Sequence, residues 1–474
     1  MVAVDDILQA QRGHVEAPAG CGKTELIAAC VAGKPQKPTL ILTHTTAGMA
    51  ALRHRLRRSK VPADNYRLST IAGWALRIIE MFPERAGYRH DRFSVPNYLA
   101  IQVAVANLCQ SGHICRELRA TYGRLLVDEY QDCSLSQHSI VIGIADAIPT
   151  VVFGDPMQAI FGLNANDPLA DWYNHVVTAF PQIGRLTTPW RWNNVGANDL
   201  GVWLLSARDL LRRGQPVDIR TCGNRVVWHL IEGDTDALIG EQIRVQYDIA
   251  RRNPNQSILF IGDSIHSQSR HNYASRANGV SVVEPVDFKD IVEVANQMNG
   301  QVGQELLATC LIFLSKVMTN VQGNRLLGRI ETIANNRQRA PATEAELAAI
   351  AVANGGGYAE AISFLKFMAG DPNRRVYRHS AFNILVEALS SAVKTRRELG
   401  EAIAALREQK RHAGRSVPLK AVGSTLLLKG LEADHVVILD ADRPGARMSR
   451  EHLYVALSRG ARSVHVFSRT PILP

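Results

Sequence analysis

A loop of small residues that ends in Lys-Thr lies near the start of this 474-residue chain. The small side chains of Ala17–Thr24 (APAGCGKT) allow backbone N–H groups to approach phosphate oxygens closely. Lys23 would reach the β- and γ-phosphates, Thr24 would hold Mg²⁺, and the helix after the loop would direct its positive end to the same place. This pattern requires a strand before the loop, and the segment around Val15 supplies one. The sequence therefore predicts an α/β protein with a phosphate-binding loop.

The first small residue of the loop departs from the usual pattern. Ala17 stands where glycine is usual, and alanine is tolerated there only if the backbone does not need a positive φ. An ordinary glycine-containing turn is the alternative interpretation. The residues predicted to bind the nucleotide here are Ala19, Gly20, Cys21, Gly22, Lys23, Thr24 and Glu25.

Short β-branched runs, many of them separated by helical patterns, predict a parallel sheet. The predicted strands are 39–43 (TLILT), 124–128 (RLLVD), 150–155 (TVVFGD), 257–263 (SILFIGD), 435–442 (HVVILDAD) and 463–467 (SVHVF). Two regions, about 84–119 and about 290–414, lack a convincing strand and show apolar residues at helical spacing. We expect both to be helical insertions in the α/β fold.

Composition limits the environment and the partners. The net charge of +10 favours a polyanionic partner without establishing one. The most apolar segment, 306–318, is interrupted by Ser315 and Lys316, so no membrane span is predicted. The seven cysteines lack the paired spacing of a zinc site, and free thiols in a reducing cytoplasm are expected.

A second half of the site is predicted where the strand RLLVD ends. Phosphoryl transfer needs a carboxylate at the carboxyl end of a neighbouring strand, and Asp128 and Glu129 stand there. Asp128 would hold Mg²⁺ and Glu129 would orient and deprotonate the attacking water. After the strand TVVFG, Gln158 would sense the γ-phosphate and Asp155 would support the metal shell. A solvated acidic turn is the alternative for the first pair.

Eight segments together resemble the ordered motifs of the UvrD/Rep/PcrA-type helicases, superfamily 1 enzymes that move 3′ to 5′ along single-stranded DNA. They are APAGCGKT, LTHTTAGMAALRHRL, STIAGWALRII, VDEYQD, GDPMQAIFG, PWRWN, KGLEADHVVIL and YVALSRG. The resemblance implies an α/β fold with two RecA-like parallel-sheet domains and helical insertions. It divides the chain into a first core (1–83 and 120–184), a short insertion (84–119), a second core (185–289 and 415–474) and a second insertion (290–414).

The resemblance also implies ATP and Mg²⁺ as ligands and assigns further residues. Trp190 would stack on the adenine where the family usually has tyrosine, and Glu432 would touch the ribose. Arg191 and Arg459 would stabilise the charge that develops on the γ-phosphoryl group, as fixed guanidinium groups do in related chemistry. The alternatives are cation–π packing for Arg191 and a surface helix charge for Arg459. The glutamine that reads adenine is ambiguous between Gln9 and Gln11, because the segment before the loop is short.

The DNA contacts implied by the resemblance are less complete. Candidate contacts are Thr43, His44, Thr45, Thr70 and Phe161, and a core or turn role is the alternative for Phe161 and the three threonines. His44 stands in place of a family aromatic residue, Leu163 and Asn164 replace a tryptophan and an arginine, and Leu426 replaces a histidine. Because base stacking contributes about 1–3 kcal/mol per base, these departures predict a weaker hold on DNA.

Three functions remain open from the sequence. The leading one is an ATP-driven 3′ to 5′ single-stranded DNA translocase or helicase in the cytoplasm. The alternative is an ATPase subunit that senses nucleic acid or nucleotide and regulates a partner, such as a nuclease or another repair or defence factor, as in Gabija-type antiphage systems. An RNA-directed relative is the third.

Overall fold

The computed structural model describes residues 2–91, 96–161, 165–285, 288–412, 418–442 and 448–474. Leu163 and Asn164, two of the departures from the family pattern, lie outside these ranges. The chain forms two compact units, Met1–Ile231 with Lys429–Pro474, and Glu232–Leu428. The four-segment division given by the resemblance is a different one, and it stays a prediction.

Six strands form the first sheet, and all its described pairings are parallel. They are β1 (Arg12–Glu16), β2 (Thr39–Thr43), β3 (Tyr66–Thr70), β4 (Arg124–Asp128), β5 (Thr150–Gly154) and β6 (Gln182–Arg185). Their order across the sheet is β3-β2-β4-β5-β1-β6. Every residue of β2 and β5 is buried, which explains why these strands read as continuous apolar runs.

Helices pack around this sheet. They are α1 (Val4–Gln9), α2 (Lys23–Cys30), α3 (Thr46–Arg58), α4 (Ile71–Met81), α5 (Pro83–Ala86), α6 (Tyr98–Gln110), α7 (Cys115–Thr121), α8 (Leu135–Ala145), α9 (Val177–Ala179), α10 (Trp190–Asn193) and α11 (Asn198–Arg212). Side-chain caps set several of the starts. Ser134 and Gln137 form a capping box at α8, which satisfies two backbone N–H groups at the helix end.

A second six-stranded sheet follows, with parallel pairing wherever its register is described. The remaining strands are β7 (Val217–Asp218), β8 (Val226–Leu230), β9 (Ile258–Gly262), β10 (Ser281–Val282), β11 (Lys420–Ser424), β12 (Ala433–Ile438), β13 (Gly460–Ser468) and β14 (Ile472–Leu473). The order in the second sheet is β10-β11-β9-β12-β13-β8. β7 and β14 form a separate antiparallel pair.

The other helices lie mainly in the second unit, and those within 289–412 form its apolar core. They are α12 (Thr235–Arg252), α13 (Ser267–Arg276), α14 (Lys289–Met298), α15 (Gly303–Val317), α16 (Gly323–Ala334), α17 (Glu344–Ala353), α18 (Tyr358–Gly370), α19 (His379–Thr395), α20 (Leu399–His412), α21 (Thr425–Leu428) and α22 (Arg450–Leu457), the last in the first unit. Phe313, Phe364 and Leu385 are among the fully buried residues of α15, α18 and α19.

Two parallel sheets with flanking helices are the arrangement expected of tandem RecA-like domains, so the predicted fold class is confirmed. The described parts of the predicted insertions, 84–119 and 290–414, consist of helices and connecting turns, without a regular strand. In the part of the chain that the structure describes, every helix is too short or too polar to cross a membrane.

Candidate nucleotide site

The phosphate-type loop connects β1 to α2 as the sequence predicts. Within it, positive φ occurs at Gly20 (69°) and Gly22 (88°), whereas Ala17 adopts an ordinary backbone and is buried. Alanine is therefore tolerated at the first position, because the left-handed residues of the loop are both glycines. A Cβ atom at Gly22 would lie 2.9 Å from the ring of Trp190, so this glycine also permits close packing.

The lysine of the loop lies against the predicted pair of carboxylates. Lys23 Nζ is 2.8 Å from Asp128 Oδ1 and also contacts Glu129. The expectation that these carboxylates follow the strand next to β1 is wrong, because β5 lies between β1 and β4. Two strand spacings amount to about 10 Å, which the long lysine side chain bridges from the start of α2.

The three charges shift one another's ionisation. Burial raises the pKa of Asp128, although the Lys23 charge opposes this. Burial would also raise the pKa of Glu129, but the Lys23 and Lys429 ammonium groups lower it to about 2. Burial would lower the pKa of Lys23, whereas Asp128 and Glu129 raise it above its ordinary value. Lys23, Asp128 and Glu129 therefore form one ion cluster, in which Glu129 is ionised at neutral pH.

Glu129 has an unusual backbone. Its φ of 55° and ψ of 43° are left-handed, a conformation that costs energy for a residue with a side chain. Gln131 donates from Nε2 to Glu129 Oε2 at 2.5 Å, and its Oε1 accepts from the Asp155 backbone N–H at 3.1 Å. The turn after β4 is thereby joined to the turn after β5.

Gln158 and Arg459 meet beside this cluster. Arg459 is 3% exposed, and its Nη2 lies 3.4 Å from Gln158 Oε1. Arg459 also donates to the carbonyl oxygens of Val455 and Leu431. Burial and the neighbouring Arg191 charge lower the pKa of Arg459 to about 10, so it stays a cation at neutral pH.

Arg191 and Trp190 lie against the glycines of the loop, and Glu432 pairs with Arg191. Arg191 Nε is 2.5 Å from Glu432 Oε2, and its backbone N–H donates to the Gly20 carbonyl at 3.1 Å. Trp190 is 50% exposed, which leaves much of its ring available for stacking. These residues are brought together with the loop within the first unit.

Other predicted residues are placed differently. Gln11 precedes β1, at the edge of the sheet opposite the loop, roughly 17 Å along the strand from it. Gln9 ends α1, and neither glutamine is brought to the loop. Glu25 is exposed and pairs with Arg55 at 2.8 Å, and Thr24 is half-buried in the first turn of α2. Asp155 pairs with Arg208 at 2.6 Å.

The candidate DNA contacts fall into two groups. His44 and Phe161 face each other with ring centres 6.1 Å apart, and burial lowers the pKa of His44. Thr43 is fully buried, whereas Thr45 and Thr70 cap α3 and α4 by accepting from Gly48 N–H and Gly73 N–H. The threonines thus have the core and turn positions that are the alternative to a contact with DNA.

Two residues of the cluster were not predicted. Lys429 Nζ donates to both oxygens of Asp132 at 2.6 Å and to the Gln158 carbonyl at 2.5 Å. It also lies 4.7 Å from the Phe161 ring centre. Burial raises the pKa of Asp132 to about 7, opposed by Lys429. Lys429 and Asp132 lie inside segments that resemble family motifs, KGLE and VDEYQD, and this was the feature of the sequence that could have identified them.

A strand–loop–helix whose lysine meets carboxylates of a parallel sheet defines a P-loop type α/β protein. Residues 105–170 match the family model described as the UvrD/REP helicase N-terminal domain. This segment includes β4, Glu129 and Gln158, so the predicted resemblance to UvrD-type helicases is confirmed. None of the curated proteins matches the chain significantly.

Solved structures also include weak likenesses. Two structures of Arterivirus nonstructural protein 10, a helicase, one of them in complex with DNA, have TM-scores of 0.37 and 0.32 and identities of 9% and 10%. The likeness covers 98% of this chain but only 62% and 61% of those proteins.

Proposed function

We propose that the protein hydrolyses ATP and uses it to move 3′ to 5′ along single-stranded DNA. The observation that carries the proposal is the contact of Lys23 with Asp128 and Glu129, next to the Gln158–Arg459 pair. These groups supply what phosphoryl transfer requires: a cation at the phosphates, a carboxylate for the metal, a base for the attacking water and a guanidinium for developing charge.

The oxygen donors in the site fit Mg²⁺. Thr24 offers a hydroxyl at the start of α2 and Asp128 a buried carboxylate at the end of β4, and such ligands suit this cation. When bound, the ion would neutralise phosphate charge. The chain's own residues have other tasks: Glu129 would accept a proton from water, and Arg191 and Arg459 would face the transferred group.

The direction of movement and the preference for DNA come from the motif resemblance, supported by the matching UvrD/REP segment. The net charge of +10 agrees with a polyanionic partner. His44, Phe161, Thr43, Thr45 and Thr70 remain the proposed contacts with nucleic acid. His44 and Phe161 are the most suitable of these, because partly accessible rings can stack on bases.

A second candidate is an ATPase subunit that regulates a partner nuclease in repair or antiphage defence. It is favoured by the replacement of stacking residues, for example Leu426 in place of histidine, because a weak hold on DNA calls for a partner.

One experiment separates these functions. ATP hydrolysis is measured with no nucleic acid, single-stranded DNA, duplex DNA and single-stranded RNA. Strong stimulation by single-stranded DNA, together with movement along it, supports the translocase, and stimulation by RNA alone would make the protein an RNA-directed relative. Hydrolysis that ignores every nucleic acid would leave only the regulatory ATPase.

A further inference from the structure

A buried arginine contacts the ends of two strands beside the candidate site, and the proposed reaction assigns it no role. Arg208, in α11, is 0% exposed. It donates to Asp155 Oδ1 from Nε at 3.0 Å and from Nη2 at 2.6 Å, and to Glu16 Oε1 at 2.5 Å. Glu16 ends β1 just before the loop, and Asp155 directly follows β5. One side chain therefore holds both strand ends.

Asp155 in turn holds Gln158. This carboxylate is 1% exposed, and its Oδ1 accepts from Arg208 and from the Met157 backbone N–H at 3.1 Å. Its Oδ2 accepts from Gln158 Nε2 at 3.0 Å. Both oxygens of Asp155 are thus occupied, one by the arginine and one by the glutamine.

The chemistry of the neighbours fixes which way the Gln158 amide points. A carboxylate only accepts hydrogen bonds, so the amide nitrogen must face Asp155. A guanidinium only donates, so the amide oxygen must face Arg459, 3.4 Å away. The orientation of this amide, often ambiguous, is therefore determined by its partners.

We propose that Asp155, paired with Arg208, is a positioning residue that keeps the Gln158 carbonyl oxygen turned toward Arg459. Gln158 then offers an acceptor to the reacting groups, suited to orienting a water molecule. Arg208 donates to Asp155 Oδ1, which leaves Oδ2 to accept from Gln158 Nε2. Arg208 also ties this orientation to α11, the helix that follows Trp190 and Arg191. The inference rests on the proposed function, because the amide matters to turnover only if the site hydrolyses ATP.

A double-mutant cycle tests the inference. Asp155→Asn can present an amide donor to Gln158, so we expect kcat for ATP hydrolysis to fall about tenfold or more with a smaller change in KM. If Asp155 acts through Gln158, the double variant Asp155→Asn/Gln158→Ala hydrolyses no more slowly than Gln158→Ala alone. If the two substitutions lower kcat independently, so that their fold-losses multiply in the double variant, Asp155 has a merely structural role and the inference is overturned.

Two arginine variants complete the test. Arg208→Lys keeps the charge but offers a single donor group to Asp155 and Glu16, so we expect kcat between those of the unchanged protein and Asp155→Asn. Arg213→Ala, at the exposed end of the same helix, should leave kcat unchanged. The melting temperature of each variant shows whether it folds. A folded Arg208→Lys protein with full kcat would overturn the role of Arg208.

Failure of the proposed function gives a different result. If the unchanged protein hydrolyses no ATP, the proposed function is refuted, and crystal structures of the unchanged and Asp155→Asn proteins then decide the inference. We expect the Gln158 side chain to turn away from Arg459 in the variant. The same Gln158 position and contacts in both structures would overturn the inference on its own.

Discussion

Lys23 is held by Asp128 and Glu129 in a closed cluster of charges. No other residue of the loop itself carries a mobile positive charge, so Lys23→Ala should abolish ATP hydrolysis. Steady-state phosphate release measures this, with Lys34→Ala as an exposed lysine control that should keep full activity. Turnover above a tenth of the unchanged protein would contradict the assignment of Lys23.

Glu129 carries the opposite charge in the contact with Lys23, and its substitution should have a different effect from that of Lys23→Ala. Its low pKa of about 2 shows that it is a weak base while Lys23 remains beside it. Glu129→Gln keeps the shape and removes the basic oxygen, so ATP binding should be retained while hydrolysis is lost. Nucleotide binding is measured beside phosphate release, with Asp64→Asn as an exposed acidic control. Loss of binding in Glu129→Gln would refute its role as base.

The threonine caps at the starts of α3 and α4 predict how substitutions there change the free energy of unfolding. Thr45 Oγ1 and Thr70 Oγ1 accept from Gly48 N–H and Gly73 N–H, each at 3.0 Å. Removing such a cap lowers the free energy of unfolding by about 1 kcal/mol, so we expect this loss in Thr45→Ala and Thr70→Ala. Thr45→Ser and Thr70→Ser keep the capping hydroxyl and should keep most of this free energy. Denaturant unfolding checks these values, and alanine variants of full stability would favour a ligand contact over a cap.

The elements differ in how well the sequence predicted them. β2, β4 and β5 are buried and consist largely of apolar residues, so their periodicity was clear and their bounds were found almost to the residue. β11 (KAVGS) and β3 (YRLST) have the same length but are partly polar, and their pairing depends on residues far along the chain, so no local pattern predicts them.

Lys23, Asp128, Glu129 and Gln158 belong to motifs and were predicted, whereas Lys429 and Asp132 also lie in motif segments and were not. Arg208 was missed because it lies inside an ordinary amphipathic helix, and only the fold brings it to Asp155. The position of β5 between β1 and β4 was missed for the same reason, because hydrophobic periodicity does not specify the order of strands in a sheet.

For the molecule as a whole, the excess of positive charge predicts how it responds to salt. Phosphate contacts release counterions, and for single strands each contact contributes a slope of about −0.7 in log affinity against log salt. With a net charge of +10 and few stacking groups, stimulation of ATP hydrolysis by single-stranded DNA should fall steeply as salt is added. Titrations of DNA at several salt concentrations measure the slope, and a slope near zero would contradict binding through phosphates.

Movement along DNA should exceed strand separation. Unwinding requires a wedge and a hold on the duplex ahead, whereas the described part of 84–119 contains only short helices between β3 and β4. We therefore expect 3′ to 5′ translocation with poor unwinding by the isolated chain, improved by a partner or by self-assembly. The measurement is translocation on single strands labelled at either end, run beside unwinding of a duplex with a 3′ tail. Vigorous unwinding by a monomer would contradict the need for a partner, and 5′ to 3′ movement would contradict the direction implied by the motifs.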